Sequence, residues 1–369
     1  MQKTDSMSNS VSVLYDHQAF EMQRFGGISR YFYELMTHLE GDVELAIKYY
    51  TNDYLKEAGN KFPGFHLPER PYKWFKGPIK RQNRLNSIER LKKSECKIFH
   101  PTYHTPYFLD HIGNKSYVLT VHDMNHELLP DAFRNTESVV AIKRATILRA
   151  DRIIAISENT KKDIVDILGV DPQKIDVVYH GVRPLTTAYK GLQLPERYVL
   201  YVGDRNTYKN FYQLLEAFAV LAEKDRSLFL VCTGKVLKKP ELALIHKYGL
   251  QNRVIHIHAS DPELKQLYEQ ASLFVFPSLY EGFGLPILEA FSYNCPVLLS
   301  NRSCFPEIAG DAALYFDPTH TESLIESAKQ ILDDSDLQER LRVAGRERVK
   351  QFTWEKAAKE TEMVYKKVL

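Results

Sequence analysis

No part of this chain is an uninterrupted apolar run long enough to cross a bilayer, so no transmembrane helix is expected. Cysteine is scarce. The four present, Cys96, Cys232, Cys295 and Cys304, have neither C-x-x-C spacing nor the density of a disulfide scaffold, and read as reduced thiols of a cytoplasmic protein. An excess of one charge is also lacking: 49 Lys and Arg against 47 Asp and Glu leave a net +2, too little to argue for a nucleic-acid partner. Residues 1–10 are polar without the apolar core of a signal peptide, and are expected to be disordered. The first strand candidate is not followed by Gly-x-Gly-x-x-Gly, which weighs against a nicotinamide dehydrogenase, and no Gly-x-Ser-x-Gly elbow surrounds Ser157. There is no internal repeat and no low-complexity segment.

What is present is an alternation. Short runs rich in Val, Ile, Leu, Phe and Tyr alternate with longer amphipathic segments, the pattern of parallel sheets covered by helices on both faces. The expected fold class is α/β. Strand candidates in the first half are Val11 to Tyr15, Val43 to Tyr49, Lys97 to Phe99, Tyr117 to Val121, Arg152 to Ile156 and Ile175 to Val178. Those in the second half are Tyr198 to Val202, Leu228 to Val231, Val254 to His258, Leu273 to Phe276, Pro296 to Ser300 and Ala313 to Phe316. A chain of 369 residues exceeds what one core usually serves, so two doubly wound, Rossmann-like domains facing a central cleft are expected. Their bounds are 11–182 and 197–352, joined by a linker at 183–196 and followed by a last helix, 353–369.

The stretch that organises the rest is Tyr280-Glu281-Gly282-Phe283-Gly284-Leu285-Pro286-Ile287-Leu288-Glu289-Ala290. It joins an apolar strand to a helix through two glycines that permit close approach of a ligand, with Pro286 placed as a first helical residue. The amides near 283 to 286 then form a positive helix terminus suited to a phosphate. Glu281 and Glu289 are poor phosphate ligands but good acceptors for sugar hydroxyls. Together they suggest a nucleotide sugar. A loop that merely caps a helix, with two solvated glutamates, is the bland alternative.

This segment resembles the Glu-x7-Glu motif of the family 4 (group 1) retaining glycosyltransferases, which have the GT-B fold. The resemblance implies that Glu281 lies by the donor sugar and Glu289 at the ribose, with Gly282, Phe283, Gly284 and Leu285 lining the donor site. Val202-Gly203-Asp204-Arg205-Asn206-Thr207-Tyr208-Lys209 is similar to the family's basic pair that grips the leaving diphosphate, here Arg205 and Lys209. Asp204 stands where the family often has the Arg. His122-Asp123 resembles the His-Asp pair beside the donor sugar, and the Gly26-Gly27 loop a glycine-rich loop after the first strand, making Gly27 a donor-side candidate. Gly234 and His258, at the ends of the next strands, are further nucleotide candidates. The last helix is expected to cross back to the first domain.

Several features are ambiguous on their own. Residues 72–93 hold eight Lys or Arg against one Glu, with Trp74 and Phe75 at the start. They suit either an anionic membrane surface or a solvated helix face. Ser29 could cap a helix, His100, His104 and His126 read as loop hydrogen-bonders, and Asp334-Ser335-Asp336 reads as a helix cap, not a metal motif. No metal site and no cofactor are expected.

The function implied is metal-independent, retaining transfer of a hexose from a nucleotide sugar to a glycan or lipid-linked glycan in polysaccharide biosynthesis, with Glu281, His122, Arg205 and Lys209 as catalytic candidates. Tyr15-Asp16-His17-Gln18 through Arg30 looks like bacterial surface-polysaccharide transferases, some of which use GDP-mannose. UDP- or dTDP-sugars stay open, as do a GT-B epimerase, a phosphorylase or a non-catalytic binding module. The site of action would be the cytoplasm, at or near the inner face of the membrane.

Overall fold

The structure, a computed structural model, describes residues 11–184, 191–205 and 207–369. The expected disorder of residues 1–10 and the middle of the expected linker, 185–190, lie outside the described residues. The chain divides into two compact units. The first comprises the residues up to Glu127, Asn135–Gly181 and Trp354–Leu369; the second comprises Leu128–Arg134 and Val182–Thr353. Nothing in the composition of 128–134 marks it as part of the second unit.

In the first unit the strands are β1 (Ser12–Asp16), β2 (Asp42–Ala46), β3 (Tyr49–Tyr50), β4 (Phe65–His66), β5 (Ile98–His100), β6 (Ser116–Val121), β7 (Arg152–Ala155) and β8 (Ile175–Val177). Six form a parallel sheet in the order β2-β1-β5-β6-β7-β8, and β3 pairs with β4. The second unit has β9 (Arg197–Tyr201), β10 (Leu228–Cys232), β11 (Val254–His256), β12 (Leu273–Phe276), β13 (Val297–Ser300) and β14 (Leu314–Phe316), parallel in the order β11-β10-β9-β12-β13-β14. In both sheets the winding reverses beside the first strand, between β1 and β5 and between β9 and β12. Such switch points leave an open crevice at the carboxyl ends of the strands.

Strand side chains alternate between two cores. Val13 and Tyr15 face Phe20, Phe32 and Leu35, whereas Leu14 joins Phe99, Phe108 and Leu119 on the other side. The helix Phe211–Lys224 covers one face of the second sheet with Phe211, Leu214, Leu215 and Phe218. One expected strand, Val43 to Tyr49, breaks after Ala46. Asn83, from the helix Lys76–Lys93, accepts from the amides of Lys48 (3.2 Å) and Tyr49 (2.8 Å) and donates to the Tyr49 carbonyl, taking bonds a continuing ladder would need.

The last helix, Trp354–Lys366, belongs to the first unit, where Trp354, Ala357, Ala358, Val364 and Tyr365 enter the same core as Val13. Tyr365 lies within a buried hydrogen-bond chain that runs from Tyr15 to Tyr31. Its hydroxyl meets Tyr15 Oη (2.5 Å) and His100 Nδ1 (2.7 Å), and His100 Nε2 continues to Thr120 Oγ1 (2.9 Å), which meets Tyr31 Oη (3.1 Å). His100 is thus a core residue and not a loop hydrogen-bonder. Tyr365→Phe should destabilise the first unit by about 1–3 kcal/mol, because His100 Nδ1 is left buried without its partner; urea unfolding of the two proteins compares them directly.

Candidate active site

The loops after β9, β10 and β11 are tied together by hydrogen bonds and one close backbone contact. Gly203 (φ 124°) donates its amide to Thr233 Oγ1 (3.2 Å), and a Cβ on Gly234 (φ 86°) would stand 2.3 Å from the Gly203 carbonyl oxygen. Only glycine fits at 234. The third loop is held by His256, whose Nε2 lies 3.0 Å from the Gly234 carbonyl oxygen. The expected candidate His258 lies two residues past the end of β11 and is exposed.

Lys209 closes a single 3-10 turn, Thr207–Lys209, fastened to the loop after β12 by a bond from the Leu279 amide to the Tyr208 carbonyl (2.8 Å). Its Nζ sits 2.5 Å from Glu281 Oε1, with side-chain exposures of 18% and 13%. The two motifs thus bring their Lys and Glu together, a pairing the sequence did not announce. An ion pair so far withdrawn from water gains more from Coulomb attraction than a surface pair does. Lys209 Nζ also lies 5.3 and 5.5 Å from the ring centroids of Tyr208 and Phe276.

Behind Glu281 stand two residues the sequence reading missed. Ser303 Oγ accepts from the Glu281 amide (3.2 Å) and donates to its carbonyl (2.5 Å), while the Cys304 thiol donates to the carbonyls of Glu281 (3.2 Å) and Phe283 (3.1 Å). Burial pushes that thiol well up from its ordinary value, so it stays protonated as a donor. The helix begins at Leu285, after Gly284 with φ 97°, and Pro286 is its second residue, not its first. Gly282, Phe283 and Gly284 are buried in the turn, Leu285 is half-buried, and Glu289 Oε2 accepts from the hydroxyl of the buried Tyr268 (3.3 Å).

Arg205 is placed differently from Lys209. Its side chain is 2% exposed, Nε lies 3.3 Å from Glu241 Oε1, the two terminal nitrogens donate to the carbonyls of Thr233 and Lys235, and the guanidinium lies over the Phe211 ring. Its fork is taken up by protein acceptors, which makes Lys209 the cation beside Glu281. Asp204 pairs with Lys235 (2.7 Å).

In the first unit, Gly27 opens the helix Gly27–His38 with open space beside its Cα. Ser29 is not the cap. Gln23 Oε1 accepts from the Ser29 amide (3.0 Å), and the Ser29 hydroxyl donates back to the Gly26 carbonyl. His122 follows β6, edge-on to Tyr31 (5.1 Å), and its Nε2 is buried with no hydrogen-bond partner among the described residues. Burial lowers its pKa to about 4 against the opposing pull of Asp123, so the ring is neutral near pH 7. His122, Asp123, His126 and His104 line a cavity of about 170 Å³. Ser157 accepts from the Thr160 amide and Asp334 from the Leu337 amide, both as helix caps. No group of three or more His, Cys, Asp or Glu that could hold a metal exists among the described residues.

Two doubly wound parallel sheets, the second carrying a Lys and a Glu at neighbouring strand ends before a glycine-initiated helix, define a GT-B glycosyltransferase. Residues 25–184 match the glycosyltransferase family 4 model and residues 186–348 the glycosyl transferases group 1 model, and the chain belongs to this family of enzymes. It is similar to O-antigen chain mannosyltransferase B of Escherichia coli, with 28% identity over 282 residues, 72% of this chain and 74% of that one. The O-antigen chain mannosyltransferase RfbU of Salmonella typhimurium is 28% identical over 242 residues, 65% of this chain and 66% of its own. Among solved structures, Anabaena Alr3699/HepE in complex with UDP and glucose shares the fold with a TM-score of 0.75 and 16% identity, over 96% of this chain and 99% of that one.

His100 and His104 are fully or nearly fully buried, and burial, the largest cause, lowers both to about 3, with His122 and, for His104, Lys143 adding to the effect. Unfolded imidazoles titrate near 6.5, so between that pH and about 3 the unfolded chain binds more protons. Stability is therefore full above pH 6.5 and falls as pH drops below it, by on the order of 2 kcal/mol per histidine at about pH 5. Denaturant midpoints measured from pH 7.5 down to 4.5 should show the decline, and His104→Gln should flatten it.

Proposed function

We propose that the protein is a retaining hexosyltransferase that moves a sugar from a nucleotide sugar to a hydroxyl of a glycan or lipid-linked glycan. The observation that carries this reading is the withdrawn Lys209–Glu281 pair set against the Gly282–Gly284 turn and the start of the helix Leu285–Ser292. Departure of a nucleoside diphosphate builds negative charge. Lys209 supplies the counter-charge together with the amides of the turn, so no divalent ion or other cofactor is needed. Glu281 accepts from hydroxyls of the transferred sugar and Glu289, oriented by Tyr268, from those of the ribose. Arg205, in its pairing with Glu241, shapes the loop that carries Gly234 beneath the nucleotide. In the first unit, the neutral His122 offers a buried nitrogen to a sugar hydroxyl. The anomeric carbon breaks its bond to the diphosphate and forms one to the acceptor oxygen, whose proton goes to the leaving phosphate. The two relatives named as mannosyltransferases favour mannose, from GDP-mannose, as the donor sugar.

Lys209→Ala and Glu281→Ala should each lower transfer on the order of 100-fold or more, the scale of losing a transition-state charge partner. Both variants within a few-fold of wild type would overturn the assignment. Thermal shifts with GDP, UDP and dTDP name the base, since stabilisation grows with the logarithm of ligand over its dissociation constant. Transfer that survives EDTA fits the metal-free reading, and loss of it with EDTA ends that reading.

The membrane is a second partner. Trp74 and Phe75, 77% and 58% exposed, stand between the helices Glu69–Trp74 and Lys76–Lys93. The longer helix buries a narrow stripe, Ile79, Asn83, Ser87 and Leu91, and presents its lysines and arginines outward. No helix among the described residues is long and apolar enough to cross a membrane, so contact of this kind would be peripheral. In sedimentation the protein should bind vesicles containing anionic lipid more than neutral ones, and Trp74→Ala/Phe75→Ala should weaken that binding several-fold. Equal recovery with both vesicle types would refute the membrane contact.

A further inference from the structure

The cavity beside His122 contains a buried cation whose placement exceeds what neutralising it requires. Lys143 comes from the middle of the helix Thr136–Arg149, and its side chain is 5% exposed. Its Nζ donates to Glu127 Oε2 (3.0 Å) and lies 3.6 Å from Asp123 Oδ1. A buried ammonium needs a partner, and Glu127, 3% exposed and closer, is one. Asp123 is different. Its side chain is 34% exposed and lines the cavity, and its Oδ1 takes both the approach of Lys143 and the amide of Asn125 (3.1 Å). Two cationic or N–H contacts on one oxygen fix the rotation of the carboxylate.

Burial alone would raise the Asp123 pKa; Lys143, the Asn125 amide and the neighbouring His122 and His104 together outweigh it, and the group is held below its ordinary value as a carboxylate. Next to it lies the buried, unpartnered Nε2 of His122. The same cavity is also lined by the apolar Ile28, Val139 and Ile142. Apolar side chains together with a carboxylate and a neutral imidazole suit a pyranose ring, whose C–H face and hydroxyl edge need those two surroundings.

We propose that Lys143 is a positioning residue: by holding Oδ1 of Asp123 it presents Oδ2 to a hydroxyl of the acceptor's sugar ring, bound in this first-unit cavity. The proposal rests on the glycosyl-transfer reading only for the identity of that sugar as the acceptor. The charged and titratable groups facing Asp123 are His122 on its own segment, His126 and Glu127 on the helix Asn125–Leu128, Tyr103 and His104 on the loop after β5, and Lys143.

The decisive variant is Lys143→Met/Glu127→Gln, which removes both buried charges together and leaves neither uncompensated. It should fold, keep the nucleotide-induced thermal shift, and raise the KM for the acceptor at least tenfold. The acid limb of its rate profile should move to higher pH, because Asp123 has lost the cation that lowered it. Lys143→Arg should recover most of the acceptor affinity. A folded double variant with wild-type acceptor KM and an unmoved acid limb overturns the proposal. Should the double variant fail to fold, Asp123→Asn carries the test, again through acceptor KM with the nucleotide shift intact. Should wild type transfer no sugar from any nucleotide donor, the transferase reading fails separately. Binding of methyl α-mannoside, read by saturation-transfer NMR in wild type and Asp123→Asn, then still decides: loss of signal in the variant supports the cavity site, and equal signals refute it.

Discussion

The second unit depends on the closeness of two backbones. At 2.3 Å from the Gly203 oxygen, the site of a Cβ on Gly234 is already occupied, so the loops ending β9 and β10 can meet only because residue 234 carries no side chain. Beside that contact lie the reach of Arg205 to the carbonyls of Thr233 and Lys235 and the bond from His256. Backbone proximity, and not a cluster of acids and bases, is what this sheet edge is built for. It suits a reaction in which the leaving group carries most of the charge and the protein supplies fixed dipoles and one cation.

Three ionic pairs share a theme: Lys209 with Glu281, Arg205 with Glu241, and Lys143 with Glu127. Each places a cation where water is largely absent; the first two join a turn or helix to a strand-end loop, and the third joins two helices. Such pairs add little net stability compared with apolar packing, but they forbid alternative arrangements, because a slipped loop would leave a buried charge unmatched. The Lys209–Glu281 pair is the most open of the three.

Much of this was legible in the sequence. The apolar runs located both six-stranded sheets, since strands buried on both faces read as continuous Val, Ile, Leu and Phe. The Glu281 to Glu289 spacing and the Gly203 to Lys209 segment pointed to residues that the structure joins as an ion pair. What escaped was partner identity at long range. Nothing local says that Asn83 ends the second strand, that Cys304 and Ser303 brace Glu281, or that Gln23 caps the helix after Gly26. Arg205 illustrates the limit best: its type and spacing announce a cation at a strand end, but whether it points to a ligand or to Glu241 is decided 36 residues further on. The strand expected to reach His258 stops at His256, whose ring meets the Gly234 carbonyl oxygen.

The first unit is assembled from three separate stretches of chain, the last of which is the helix Trp354–Lys366. During synthesis the second unit therefore has all of its residues before the first does. Until Trp354 and Tyr365 emerge, Tyr31 lacks one of its ring neighbours and Tyr15 its hydroxyl partner. The N-terminal half therefore cannot complete its core as it leaves the ribosome, and exposes apolar surface until that helix docks.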